Sequence, residues 1–177
     1  MKSIPLAVIV SVFLLVSGCA TQNKSTANKA DKSLFKKYAA DLDGDGNKEL
    51  VESEDKTATD GITIVTVKKN AKSPEIDRIT IPGKIKKIEF TELNLDQQER
   101  LVVTFEGEDD LSCIAIYHLR NNKLSKIFYA SSEYGIETDF LVIPRIRIGK
   151  VFQRNYSPNL IPDWETWVWA SDKFVRE

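Results

Sequence analysis

Four carboxylates fall within nine residues in Asp41-Leu-Asp43-Gly-Asp45-Gly-Asn47-Lys-Glu49, and Glu52 follows three places on. Oxygen-bearing side chains therefore recur at the first, third, fifth, seventh and ninth places of the stretch, and again at the twelfth. Carboxylates this close repel one another unless a cation sits between them. Gly44 and Gly46 let the chain coil tightly enough to turn the oxygens inward. Hard oxygen donors suit Ca²⁺, which takes about 6–8 of them at roughly 2.3–2.6 Å, whereas Mg²⁺ wants a stricter octahedron and keeps its waters. The spacing predicts a structural calcium loop. Asp41, Asp43 and Asp45 would offer side-chain oxygens, Asn47 its backbone carbonyl, and Glu49 a carboxylate directly or through water. The alternative is a polar surface turn.

Two families share such a pattern. The spacing resembles an EF-hand loop, with Gly46 sixth and Glu52 twelfth, but Lys48 fills the usually apolar eighth place. The segment Val51–Gly61 also lacks a helical apolar face. Asp-x-Asp-Gly-Asp-Gly-x-x-Glu-Leu-Val, running straight into a strand, more closely resembles the calcium loops of FG-GAP and VCBS repeats, the integrin-alpha-like propeller modules. That resemblance implies a loop joining strands of adjacent blades, with Glu49 at the start of a strand. The closing Trp169-Ala-Ser-Asp-Lys-Phe174 is similar to a Trp-x-Gly-x-x-Phe hairpin of such proteins. A second copy of the loop carries Glu92, Asn94 and Asp96, but Leu95 and Gln97 replace both glycines and Arg100 stands where Glu49 would. A fixed positive charge there would repel a cation, so this copy is expected to keep the turn and lose the metal.

Other chemically capable residues are sparse. His118 is the single histidine, which leaves a Ser/His/Asp arrangement no second choice of base. Asp109-Asp110 reads as a solvated hairpin tip. Trp167 and Trp169 share one face of a strand. Exposed, they would stack on a sugar or peptide; buried, they are core. Cys113, in the apolar run Cys113-Ile114-Ala115-Ile116, reads as a small buried hydrophobe. No convincing pair of catalytic carboxylates can be located, and a hydrolase is the least favoured reading.

Cys19 has a different role. Met1 and Lys2 precede an uncharged apolar run, Ile4–Val16, which breaks at Ser17-Gly18-Cys19. The run is short for a membrane-spanning helix, which needs about 20 residues, and fits the core of a secretory signal. Val16-Ser17-Gly18-Cys19 resembles a bacterial lipobox, which implies cleavage before Cys19 and a lipid on its thiol. Ala20, in place of an Asp, leans towards the outer membrane in a Gram-negative cell. Residues 1–18 are then a signal peptide, and residues 19–37 a lipidated cysteine with a flexible basic tether, its neck beside anionic headgroups or merely a spacer. Residues 38–177 form the folded domain. That domain holds 19 Lys+Arg against 25 Asp+Glu, a net of −6. An acidic body gives no footprint for nucleic acid.

The elements that must position these groups read as β. Ile62–Val67, Ile79–Ile81, Ile85–Phe90, Leu101–Phe105, Ile114–Tyr117, Phe140–Ile143, Ile146–Ile148 and Trp164–Trp169 alternate or are rich in β-branched and aromatic residues. Turn residues separate them at Asp60-Gly61, Pro82-Gly83, Gly107, Asn121-Asn122, Gly135 and Ser171-Asp172. About ten short strands are expected, with at most a helical turn near Ser33–Ala40. Glu49–Ser53 aligns with Arg100–Thr104, Gly61–Val67 with Leu111–Tyr117, and Ile76–Ile81 with Leu124–Tyr129, at offsets of 48 to 51, and a third copy starts near Arg145. A period near 50 is the size of a propeller blade. The expected fold is all-β, with two to three blade-like antiparallel sheets in an open stack or sandwich. The expected function is a calcium-stabilised binding or scaffold lipoprotein of the cell envelope, without catalysis. Its partners would be the membrane, through the lipid, and a protein or glycan. The alternative is a glycan- or peptide-binding module that uses the tryptophan face.

Overall fold

The computed structural model describes residues 35–94, 96–141, 143–150 and 163–177. The signal segment, Cys19 and the tether through residue 34 lie outside them, as do Leu95 and Val142.

Among the described residues, twelve strands form three four-stranded antiparallel sheets. The first holds β1 (Phe35–Ala40), β2 (Glu49–Lys56), β3 (Ile62–Lys68) and β4 (Glu75–Pro82) in that order, with a one-turn helix, Thr57–Asp60, between β2 and β3. The second holds β5 (Lys84–Glu92), β6 (Glu99–Glu106), β7 (Ser112–Arg120) and β8 (Lys123–Ser132). The third holds β9 (Ile136–Asp139), β10 (Arg145–Lys150), β11 (Asp163–Ala170) and β12 (Lys173–Arg176). Each sheet is a meander, so sequence neighbours pair. β1 stands where a helical turn was expected, and it takes in residues 35–37, which had been read as tether. None of the described helices is long and apolar enough to cross a membrane.

The sheets stack in chain order. Val51, Val65, Val67 and Ile81 of the first sheet pack on Leu101, Val103, Phe105, Ala115 and Tyr117 of the second. The opposite face of the second sheet offers Val102, Ile114 and Ile116 to Ile146, Ile148 and Phe174 of the third. A sheet covered on both faces needs apolar residues at successive positions, not alternate ones. β6 and β7 show this as the unbroken runs Leu101-Val-Val103 and Cys113-Ile-Ala-Ile-Tyr117. β2 and β3 have one covered face, and their burial alternates. The two-residue turns predicted at Asn121-Asn122 and Ser171-Asp172 are present, with φ between 52° and 64° at all four residues. This conformation matches the twist of the flanking strands.

Candidate metal centre

The acidic stretch closes the β1–β2 hairpin. Ala40 pairs with Glu49, so the loop lies within one sheet and does not join two, contrary to what the propeller resemblance implied. Gly44 and Gly46 take φ of +77° and +84°, which a side chain would resist. The segment after the loop is strand β2, which excludes the helix of an EF-hand. Glu52, twelfth in the stretch, faces away and pairs with Lys37 and Lys68.

Asp41, Asp43 and Glu49 each bring one carboxylate oxygen into a group whose members lie within 4.8 Å of one another. Asp41 is the hub of the turn. Its Oδ1 accepts from the backbone N–H of Gly44 at 2.8 Å and its Oδ2 from that of Gly46 at 2.9 Å. Glu49 is fully buried, and its Oε2 accepts from the backbone N–H of Leu42 at 3.0 Å. Carboxylate oxygens have spare lone pairs beyond these bonds, so the donor set remains competent for a hard cation. Asp45 is more exposed, and its carboxyl is held below the ordinary range, chiefly by the backbone N–H of Asn47. Its carboxylate meets the group through a shared cation, the Nζ of Lys69, while its own N–H donates to Asp43 Oδ1 at 3.2 Å. Asn47 is exposed.

Lys69 was not foreseen. It lies in the turn after β3, and its Nζ is 2.5 Å from Asp43 Oδ2, 3.3 Å from Glu49 Oε1 and 3.4 Å from Asp45 Oδ2. Its hydrogen bond to Asp43 is the main reason the ammonium is held protonated well above the usual range. The signal for it was present. β2 and β3 are antiparallel, so the turn that ends β3 must return to the loop that starts β2, and Lys68-Lys69 sits there.

The second sheet clamps this loop. Asp41 N–H donates to Glu99 Oε2 at 2.7 Å, and Glu99 N–H donates back to the Asp41 carbonyl at 2.8 Å. Gln98 Nε2 donates to the carbonyls of Leu42 at 2.7 Å and Leu119 at 2.9 Å. Its Oε1 must therefore accept from His118 Nε2, 3.0 Å away, so that nitrogen carries the proton. Burial first, then the charges of Arg100 and Arg120, push the His118 pKa below its ordinary value. The histidine is thus a structural link with no nucleophile among its hydrogen-bond partners.

The second loop keeps the local turn. Gln98 N–H donates to Asp96 Oδ1, as Asn47 N–H does to Asp45 Oδ1. Gln97 holds the positive φ of Gly46, at 60°. Arg100 is buried, and its Nη2 lies 2.7 Å from Asp96 Oδ2. Burial would raise the Asp96 carboxyl, but the Arg100 bond and the Gln98 N–H together hold it below the ordinary range.

The tryptophan face packs in part on the second core. Trp167 packs edge-on against Phe128 at 5.7 Å between ring centroids, and Trp169 against Phe174 at 5.1 Å. Trp169 Nε1 donates to Asn94 Oδ1 at 2.6 Å. Both rings are half-buried against that core. Cys113 is buried in the first core, as its apolar run suggested. Comparison of the chain with protein-family models, with curated proteins and with solved structures gave no match.

Proposed function

We propose that this chain is an envelope-anchored, non-catalytic binding or scaffold lipoprotein whose first loop takes calcium as a structural ion. One observation carries the calcium reading. Three carboxylates converge within 4.8 Å on a loop coiled through two positive-φ glycines, and one of them, Glu49, is fully buried. Unit charges about 4 Å apart interact by roughly 1 kcal/mol in water and about 4 at an effective dielectric of 20. Gathering like charges this closely is unfavourable without cations; the Lys69 ammonium brings one positive charge to three carboxylates, and a divalent ion would bring two. Asp41, Asp43 and Glu49 would hold it, with Asp45 and the Asn47 carbonyl completing the set. The ion's contribution is neutralisation, which would fix the start of β2 against β1 and, through the Asp41–Glu99 bonds, against the second sheet. The Val16–Cys19 motif supports lipid anchoring, and Ala20 supports the outer membrane in a Gram-negative cell.

The test is a thermal melt of residues 20–177 in EDTA, then in millimolar CaCl₂ or MgCl₂. Weak extracytoplasmic sites have Kd values of about 10⁻⁴–10⁻³ M. Millimolar calcium is then about 1–10 times Kd and stabilises the folded state by about 0.4–1.4 kcal/mol. A rise with calcium alone, abolished by Asp43→Ala with Asp45→Ala, is the expected result. An unchanged melt refutes the calcium reading.

A further inference from the structure

In both acidic loops a nitrogen from the protein itself meets the carboxylates. The two loops correspond at an offset of 51, with Asp45 matching Asp96, Asn47 matching Gln98 and Glu49 matching Arg100. In the second, the cation arrives as a loop residue. Arg100 is 3% exposed and donates to both Asp96 Oδ2 and the Gln98 carbonyl, at 2.7 and 2.6 Å. In the first, it arrives from a different hairpin. The Lys69 side chain is 43% exposed, its stem is flexible, and it touches Asp43, Asp45 and Glu49. A buried guanidinium with two acceptors is fixed. A solvent-facing ammonium on four methylenes can leave.

We propose that Lys69 is the resident, exchangeable cation of the first loop: it holds the loop closed without a divalent ion, and calcium enters only by expelling it. The expulsion rests on the calcium reading above; the holding role does not. Geometry supports the exclusion. Nζ lies within 3.4 Å of the same Asp43 and Glu49 carboxylates that would ligate the ion. An ammonium and a metal ion cannot both sit at that distance from the same oxygens. The lysine also explains how a fully buried Glu49 is tolerated, because a buried carboxylate needs a compensating charge. The second loop, with its cation buried in place, then takes no metal.

The experiment uses the full chain in non-ionic detergent. Urea unfolding in EDTA is measured for the natural protein, Lys69→Met, the paired variant Asp43→Asn with Glu49→Gln, and all three substitutions together, with Asp43→Asn and Asp45→Asn as the pair if the first pair fails to fold. Lys69→Met keeps the stem and removes the charge. It is expected to lower the folding equilibrium constant by about 3- to 10-fold in the natural background, and by less than about 2-fold once the paired carboxylates are neutral. Equal effects in both backgrounds overturn the holding role. Calcium titration by calorimetry then compares Lys69→Met with the natural protein, and the variant is expected to bind about 5- to 30-fold more tightly, since no tethered competitor remains. Equal affinities overturn the expulsion. If neither protein takes calcium, the expulsion falls together with the calcium reading, while the EDTA cycle still decides the holding role.

Discussion

Replacing Glu49 separates two jobs that this one residue combines. Its side chain is wholly excluded from solvent, Oε2 accepts from the buried N–H of Leu42, and Oε1 faces Lys69 at 3.3 Å. Glu49→Ala leaves that N–H without an acceptor, which costs about 1–3 kcal/mol for a buried donor. It also removes the buried γ-methylene and the carboxyl group and leaves a cavity, adding about 2 kcal/mol at the low end of the large-to-small range. The expected loss is about 3–5 kcal/mol, or roughly 6–20 °C in Tm at about 2–4 °C per kcal/mol. Glu49→Gln retains an oxygen for Leu42 and nearly the same volume. It loses only the charge facing Lys69, whose side chain is 43% exposed and already paired with Asp43. After screening, that loss is about 0.5–1 kcal/mol. Melts in EDTA at pH 7, followed by circular dichroism, compare the two without metal. Equal losses would mean that charge, not the Leu42 hydrogen bond, dominates at this position. A loss below about 1 kcal/mol for Glu49→Ala would refute the whole account of its burial.

Three further outcomes follow from the geometry. Gly83 connects the first sheet to the second at φ +121°, and an added Cβ would lie 1.8 Å from the Glu106 carbonyl oxygen. Gly83→Ala should therefore abolish cooperative unfolding or cost more than about 3 kcal/mol, read by urea denaturation, because backbone rather than a pliable side chain must move. The His118 pKa is depressed from 6.5 in the folded state, so the unfolded chain takes up the proton first as pH falls. The stability it contributes is complete above pH 6.5 and is lost as pH drops through the folded value. The urea midpoint should decline between pH 7.5 and 5, and His118→Gln should flatten that decline. Arg100→Met leaves Asp96 and the Gln98 carbonyl without their donor and should lower stability by about 1–3 kcal/mol in the same assay. It should not increase the response to calcium, because the second loop lacks the converging carboxylates of the first.

Most strands were legible because period-2 patterning and turn residues agree, but the strand expected at Phe140–Ile143 lies earlier in the chain, at Ile136–Asp139. Asn121-Asn122 and Ser171-Asp172 marked their hairpins, whereas the apolar runs of β6 and β7 marked strands without showing that both faces of their sheet are covered. The repeat was legible in period but not in register. The offset of 51 over β2 and β6 makes Val51 equivalent to Val102. Val51 pairs with Val67 and Val102 with Ile116, which places β3 over β7 at an offset of 49 rather than the 50 read from the sequence. Val65 pairs with Ile79 and Ile114 with Ala130, which sets β4 over β8 at 51 rather than 48. Odd slips exchange one sheet face for the other, and sequence similarity among alternating Val and Ile cannot detect them. The strand at Phe35–Ala40 was missed for a related reason. Lys36 and Lys37 lie on an edge strand, where charge blunts unwanted pairing, and in the sequence they looked like tether.

The candidate site was legible only in its local part. Asp41, Asp43 and Glu49 are close in sequence and converge, whereas Lys69, Gln98 and Glu99 reach the loop only once strand order is fixed. That non-local part changes what the loop can do. Asp41 is bonded through its N–H and carbonyl to Glu99 of the second sheet. Asn94 of the second loop in turn bonds Asp172 and Trp169 of the third sheet, at 2.9 and 2.6 Å. Polar contacts therefore tie the first loop to the second sheet and the second loop to the third. A change of cation in the first loop acts on a turn already tied to its neighbour, so its effect should reach the first sheet interface before the third sheet. Amide exchange in EDTA and in calcium would show this as added protection at Leu42 and Gln98, fading towards Trp169. Protection confined to residues 41–49 would mean that these contacts are only packing and transmit nothing.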